Sequence, residues 1–123
     1  MPEKKILIVD ADVASRNFIA RTLADQKFEV IQAGSGKEGL ICAWRDHPDL
    51  AIIDPTLIDL KGEEIARKLR QDLRTSAMPL IALSSDSSMV RIKSCLDAGF
   101  SEYITKSGQA VTLLNETITR LFG

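Results

Sequence analysis

The chain has 123 residues and a mass of 13.5 kDa, which is the usual size of one domain, so we expect a single domain rather than several. Its 16 Lys and Arg and 17 Asp and Glu residues give a formal net charge of −1, so we expect no direct contact with nucleic acid. The longest early apolar run, Ile6 to Val9, is too short for a signal peptide or a membrane span. These properties predict a cytoplasmic protein without membrane contact.

The cysteine and histidine content gives little support for chemistry by these residues. Cys42 and Cys95 show no CxxC spacing, and His47 is the one histidine of the sequence, so the three cannot complete a zinc site. We interpret both cysteines as reduced packing residues. The carboxylates are therefore the first candidates for a functional site.

Short apolar runs alternate with longer amphipathic segments along the whole chain. The runs predict five strands and the segments between them predict five helices. Strands that are separated by helices need crossover connections, so we predict a parallel sheet with helices on both faces, an α/β (βα)₅ three-layer sandwich. The predicted strands are 5–10, 28–33, 50–54, 79–84 and 101–105, and the predicted helices are 12–26, 36–46, 62–73, 87–98 and 109–122.

Several of these elements carry more detailed expectations. The second strand is the more polar one and is expected near a sheet edge, whereas the first and third should be buried on both faces. Asp12 is a candidate N-cap of the first helix, and Gly99 is the expected left-handed residue after the fourth helix. In the third helix, the spacing of Ile65, Leu69 and Leu73 predicts one core-facing stripe.

Polar residues end four of the five predicted strands. Asp10 ends the first strand and Asp54 the third, while Ser84 ends the fourth and Lys106 follows the fifth. Because the carboxyl ends of parallel strands lie at one edge of the sheet, we expect these four side chains to converge there. Each alone is consistent with a strand-end residue facing water, but the four together indicate a site.

The set suits a site at which a carboxylate accepts a phosphoryl group. Two anions repel each other, and a divalent cation held by a second carboxylate would offset that repulsion. A lysine ammonium and a hydroxyl can then bind the remaining phosphoryl oxygens. Asp54 is the better candidate for the nucleophile because it ends a central strand, with Asp10 beside it on the neighbouring strand.

Four segments of the sequence carry a resemblance to a known family. They are ILIVD at 6–10, PDLAIID at 48–54, MPLIALSS at 78–85 and AGFSEYITK at 98–106, with Arg16 after the first and Gly62 after the second. With these segments the sequence resembles the receiver domain of bacterial response regulators over 1–123. The resemblance implies a flavodoxin-like sheet of strand order 2-1-3-4-5 and a two-component signalling role, in which a sensor histidine kinase passes a phosphoryl group to Asp54. It also implies that the domain is not a classical enzyme, although it takes part in its own phosphoryl transfer and dephosphorylation.

The same resemblance implies roles for individual residues. Mg²⁺ would be held by Asp10, Asp54 and the backbone carbonyl of Thr56, with Lys106 on the phosphoryl group. Ser84 would be the switching hydroxyl, and Tyr103 the aromatic side chain that moves inward with it.

Four positions depart from the family pattern near this site. Ala11 stands where receivers have a second consecutive acid, so Mg²⁺ is expected to bind weakly, with Asp12 able to reach it only through water. Pro55 lacks the N–H that could face a phosphoryl oxygen, and Ile58 stands where the loop after the acceptor usually has proline.

The fourth departure is Ser107, which replaces the proline usually found after the lysine. A cis Lys–Ser bond is disfavoured by about 2.5–4 kcal/mol, so Lys106 can be oriented differently from its family counterpart. Together, the departures keep a second hypothesis open. The chain could be a pseudo-receiver, a protein-binding module that works without phosphorylation.

A third hypothesis comes from a competing motif. Gly34, Gly36 and Gly39 form GxGxxG between a predicted strand and a predicted helix, which is the pattern of a dinucleotide-binding oxidoreductase. The chain is too short for two mononucleotide-binding halves, so this alternative is remote. A P-loop interpretation of the same segment fails because Glu38 stands where Mg²⁺ needs Ser or Thr.

A receiver must also pass its signal to a partner. We expect a downstream protein or output domain to bind the face made by the fourth helix, fifth strand and fifth helix, and we expect a monomer or a weak homodimer. The charged and polar residues assigned to that face are Arg91, Lys93, Asp97, Glu102, Asn115 and Arg120.

Overall fold

The structure is a computed structural model that describes residues 3–123. All ten predicted elements are present in it, and each boundary lies within two residues of its expected position. In chain order the elements are β1 (Lys5–Val9), α1 (Val13–Asp25), β2 (Glu29–Ala33), α2 (Gly36–Asp46), β3 (Leu50–Ile53), α3 (Gly62–Gln71), β4 (Leu80–Ser84), α4 (Met89–Ala98), β5 (Glu102–Thr105) and α5 (Ala110–Phe122).

The five strands form one parallel sheet of order β2-β1-β3-β4-β5, which confirms the predicted topology. The polar β2 lies at one edge, as its composition predicted, and β5 lies at the other. The central strands β1, β3 and β4 have almost no exposed side-chain surface. This order places the ends of β1 and β3 side by side.

Helices cover both faces of the sheet and create two apolar layers. On one face α2, α3 and α4 pack against alternate strand residues, with Val9, Ile53 and Ala82 at the centre. On the opposite face α1 and α5 pack against the intervening strand residues, such as Ile8 and Ile52. Both cysteines are free and buried in the first layer.

The helix termini follow the sequence with one correction. The Asp12 carboxylate accepts from the N–H groups of Ala14 and Ser15, and so caps α1 as predicted. Gly99 has a positive φ of 127° after α4. The prediction for Leu73 was wrong: α3 ends at Gln71, so the chain leaves the helical repeat and the Leu73 side chain is 93% exposed.

Within residues 3–123, no helix combines the length and the apolar character that crossing a membrane requires.

Candidate functional site

The Lys106 ammonium joins the two strand-end carboxylates. Its Nζ donates to Oδ2 of Asp54 at 2.8 Å and to Oδ2 of Asp10 at 3.0 Å. Both carboxylates are nearly buried, with side-chain exposures of 12% and 8%. Lys106 is itself held at the end of β5, because its backbone N–H donates to the Ser84 carbonyl at 2.7 Å. Three of the four side chains expected to converge are thus in contact, whereas Ser84 reaches this group only through its backbone carbonyl.

The two carboxylates have matching second partners in the loops that follow them. Oδ1 of Asp10 accepts from the Asp12 N–H, and Oδ1 of Asp54 accepts from the Thr56 N–H, both at 2.9 Å. Each aspartate therefore accepts from the N–H group of the residue two positions later, and this hydrogen bond closes a short turn after the strand. Both oxygens of each carboxylate have a donor, which fixes the two side chains toward each other.

The charge state of Lys106 is decided by two opposing effects. Burial disfavours the charged ammonium, but the hydrogen bonds and negative charges of Asp54 and Asp10 outweigh burial. The pKa of Lys106 therefore lies above its ordinary value. A charged lysine between two acids leaves a net negative charge that can attract a cation.

Ser84 and Tyr103 are linked through the loop between β4 and α4. The buried Ser84 Oγ accepts from the Asp86 N–H at 3.1 Å, and the Tyr103 hydroxyl donates to the Asp86 carbonyl. The Tyr103 ring packs against the layer beneath α4, and burial raises the pKa of its hydroxyl. Hydrogen bonds to Asp86 therefore connect Ser84 with Tyr103.

The four departures from the receiver pattern lie in the loops that follow β1, β3 and β5. Ala11 and Ile58 are exposed, and the Lys106–Ser107 peptide bond is trans. The Pro55 carbonyl accepts from the Gly62 N–H at 3.0 Å. An added Cβ at Gly62 would lie 2.4 Å from the Pro55 Cβ, so this close approach requires a glycine.

The groups at the site are suited to a hard cation. Asp10, Asp54 and the exposed Thr56 offer carboxylate and carbonyl oxygens, the donors that Mg²⁺ prefers. In the part of the chain that the structure describes, no three His, Cys, Asp or Glu side chains form a group that could hold a metal. A Mg²⁺ ion here would need water and phosphoryl oxygens to complete its coordination, which these residues permit.

The GxGxxG segment lacks the free helix terminus that a dinucleotide would need. Both oxygens of the Asp59 carboxylate accept from the N–H groups of Gly36 and Lys37 at 2.9 Å, and Ser35 Oγ accepts from Glu38. The N-terminal amides of α2 that would bind a pyrophosphate are therefore occupied by the protein's own side chains. The glycines here serve packing: a Cβ at Gly39 would meet Val9 at 2.8 Å.

Two of the residues assigned to the face of α4, β5 and α5 are bound elsewhere. Asn115 accepts from Gln26 at the end of α1. Arg91 donates to the Pro55 carbonyl at 2.7 Å and pairs with Glu63 of α3. The connection of Arg91 to the acceptor loop could not be predicted from the sequence, since no local motif joins residues 36 positions apart. Exposed ion pairs, Lys93 with Asp97 and Arg120 with Glu102, remain at the other positions.

A parallel five-stranded sheet with two acids and a lysine at its carboxyl edge defines the class of flavodoxin-like, chemotaxis-regulator-like domains. The chain belongs to the response regulator receiver domain family, whose model matches residues 6–118. Among curated proteins it is 38% identical over 101 residues to the KDP operon transcriptional regulatory protein KdpE of Escherichia coli, covering 82% of this chain and 44% of that protein. It is 34% identical over 101 residues to histidine kinase P4 of Formosa agariphila, covering 82% of this chain and 7% of the kinase.

Solved structures agree with this assignment. The chemotaxis response regulator CheY4 of Vibrio cholerae superimposes with a TM-score of 0.88 and 26% identity, covering 98% of this chain and 99% of that one. A CheY-like receiver domain protein of Methanospirillum hungatei gives 0.87 and 29%, covering 98% and 94%. The chain thus spans nearly all of such single-domain relatives but less than half of KdpE and the kinase.

Proposed function

We propose that this receiver domain accepts a phosphoryl group on Asp54 from a sensor histidine kinase and so changes a surface that binds a downstream partner. The observation that carries the proposal is the position of Lys106 Nζ, within 3.0 Å of both Asp10 and Asp54. A lysine so placed can bind a phosphoryl oxygen once one is present. The cytoplasm is the compartment in which we expect this role, in keeping with the family.

The transfer itself needs few groups from this chain. A carboxylate oxygen of Asp54 attacks phosphorus and forms the new P–O bond, while the P–N bond to the donor's imidazole breaks and the imidazole leaves with the electron pair. Lys106 donates to the phosphoryl oxygens, since an ammonium has three donors and can change partners. The same groups are expected to take part when water later removes the phosphoryl group, so the domain assists its own dephosphorylation without being a classical enzyme.

Asp10, Asp54 and the Thr56 carbonyl are the groups that would hold Mg²⁺, with Asp12 contributing through water. When bound, the ion would supply positive charge that offsets the repulsion between carboxylate and phosphoryl oxygens. Ala11 leaves this site one acid short of the family pattern, so weak Mg²⁺ binding is part of the proposal.

Ser84 and Tyr103 are the proposed switch. A phosphoryl oxygen on Asp54 offers Ser84 a new partner, and the hydrogen bonds through Asp86 would carry the change to Tyr103. Tyr103 lies on β5, which is part of the face of α4, β5 and α5 to which we assign the downstream protein or output domain. The domain would act as a monomer or a weak homodimer.

The pseudo-receiver is the second candidate function, and two departures from the family pattern favour it. Ala11 removes an acid and Pro55 removes an amide donor, so both a metal ligand and an oxyanion donor are lost. A domain with this fold could still bind a partner through the same face without being phosphorylated.

Incubation with a small acyl phosphate and Mg²⁺, followed by intact mass measurement, separates the two. We expect a gain of about 80 Da, the mass of one added phosphoryl group, that depends on Mg²⁺ and is absent from Asp54→Asn. No gain at high donor concentration would reject phosphorylation and support the pseudo-receiver. A gain that persists in Asp54→Asn would place the phosphoryl group on another residue.

A further inference from the structure

A nearly buried charge pair lies behind the phosphoacceptor loop and outside the site described above. Arg91 Nε of α4 lies 3.2 Å from Glu63 Oε2 of α3, and the two side chains are 23% and 11% exposed. Glu63 Oε2 accepts from Ser94 Oγ at 2.7 Å, while Glu63 Oε1 and Arg91 Nε are buried and neither has a hydrogen-bond partner. Sequestering two charges in this way is unfavourable unless the pair has tightly held partners. The second partner of Arg91 is therefore informative.

That partner is the carbonyl of the residue after the phosphoacceptor. Arg91 Nη2 donates to the Pro55 carbonyl at 2.7 Å, and the Gly62 N–H donates to the same oxygen at 3.0 Å. The Pro55 carbonyl and the Thr56 N–H belong to one planar peptide unit, so fixing one fixes the other. The Thr56 N–H donates to Oδ1 of Asp54 at 2.9 Å. One rigid peptide therefore connects the Arg91 guanidinium to the Asp54 carboxylate.

The charge of Arg91 strengthens this connection. A cationic donor on the carbonyl polarises the peptide and makes its N–H a better donor to the carboxylate. Because Pro55 has no N–H, the Thr56 amide is the first backbone donor after Asp54, and its direction matters more here than where two amides are present.

We propose that Arg91 is a positioning residue for the phosphoacceptor and that it couples α4 to Asp54 through the Pro55–Thr56 peptide. The coupling rests on the proposed function and adds a second connection to α4, separate from that through Ser84 and Tyr103. A change of ligands at Asp54 turns the Pro55–Thr56 peptide and shifts the Arg91 guanidinium. Because coupling is reciprocal, a displacement of α4 also changes the position of Asp54.

The test compares two variants that differ only at Arg91. Arg91→Met alone would leave the buried Glu63 carboxylate without its cation, so Glu63→Gln is the reference variant and Glu63→Gln/Arg91→Met is the double variant. Arg67→Met makes the same substitution at an exposed position of α3 and serves as a remote control. Arg91→Lys keeps the charge but loses the planar fork that reaches two partners.

The first readout is the solvent-exchange rate of the Thr56 amide proton, measured by NMR without phosphorylation. Loss of a hydrogen bond from a charged donor predicts exchange about tenfold faster in the double variant than in the reference variant. Arg91→Lys is expected to lie between them, and Arg67→Met to match the unmodified chain. A purely structural role would accelerate exchange throughout α4 without singling out Thr56, and equal Thr56 rates in the reference and double variants would overturn the proposal.

The second readout is the phosphorylation rate with an acyl phosphate, which should fall about tenfold from the reference variant to the double variant. If the unmodified chain accepts no phosphoryl group, the proposed function fails, but the Thr56 exchange rates still decide the positioning role. If the chain is phosphorylated and the reference and double variants react equally fast, the positioning role fails and the proposed function stands.

Discussion

A half-buried cation lies at each end of the parallel strands, and the two cations have opposite surroundings. At the carboxyl end, Lys106 contacts the carboxylates of Asp10 and Asp54, and the pKa of the lysine is raised. At the amino end of the strands, Arg70 donates to neutral carbonyls, those of Gly99 at 3.0 Å and Met78 at 2.6 Å. Burial lowers the pKa of Arg70.

The comparison indicates that the carboxyl end of the sheet, with Lys106, serves chemistry, whereas the amino end, with Arg70, serves stability. The guanidinium of Arg70 is planar and rigid, and its donors match backbone carbonyls that are fixed in position. We therefore expect its hydrogen bonds to stay unchanged. The ammonium of Lys106 is a point charge between two acids that could also bind a cation or a phosphoryl group. Substitutions at the two ends should therefore affect different measurements.

Lys106→Met is expected to have the largest effect. It removes the cation that contacts both Asp10 and Asp54, so we expect the rate of phosphorylation to fall about 10² to 10³-fold, the usual effect of losing a group that stabilises developing charge. A time course of intact mass with an acyl phosphate measures this rate. The two unpaired carboxylates should also lower the melting temperature, and Mg²⁺ should raise it again. A variant that reacts as fast as the unmodified chain would contradict the role given to Lys106.

Arg70→Ala should change stability and leave the chemistry intact. The variant leaves the carbonyls of Gly99, Ser76 and Met78 without a charged donor, which we expect to reduce the free energy of unfolding by about 3 kcal/mol. Urea denaturation measures the loss. Arg67→Ala, an exposed change on the same helix, is the control and should stay within about 0.5 kcal/mol. If folded Arg70→Ala is phosphorylated more slowly than the unmodified chain, the two ends of the sheet do not have separate roles.

Gly62→Ala should affect both measurements, because Gly62 lies against the acceptor loop. A Cβ at this position would lie 2.5 Å from the Pro55 Cα, so the backbone must shift, at about 2 kcal/mol of the free energy of unfolding. The shift moves the peptide that contacts Asp54, and phosphorylation should slow as well. Gly108→Ala is the matched control, since its Cβ would meet nothing within 4 Å. Equal stability of the two variants would show that the loop adapts without strain.

Ala11→Asp should produce the smallest change and in the opposite direction. It restores an acid beside Asp10, so Mg²⁺ affinity should rise about tenfold, as expected for one more charged oxygen ligand. Calorimetric titration of unphosphorylated protein with Mg²⁺ measures it, and Ala11→Asn separates charge from size. An unchanged affinity in Ala11→Asp would mean that residue 11 is directed away from the ion.

The architecture and the position of the site could be predicted because each depends on local pattern. Continuous aliphatic runs indicated buried strands, and a parallel sheet brings the ends of those strands together, which is why Asp10, Asp54 and Lys106 were expected to converge. The Asp12 cap and the positive φ of Gly99 are likewise local.

What could not be predicted depends on contacts between distant segments. Arg70 and Arg91 look like ordinary helical surface residues, yet each donates to carbonyls 29 and 36 positions away, respectively. No periodicity reports such partners, because they are fixed only by how α3 and α4 lie on the sheet. Leu73 shows that a local pattern can also mislead. The apolar spacing of the helix continues in the sequence to Leu73, although the helix itself has already ended.

The ion pair between Lys106 and Asp10 also bears on the order in which the molecule becomes functional. The two residues are 96 positions apart, so their contact forms only after β5 has docked beside β4. A chain still emerging from the ribosome holds Asp54 but lacks its lysine until almost the whole domain has been synthesised. Competence to accept a phosphoryl group would then be a property of the completed fold, and a partly folded chain would not respond to a kinase.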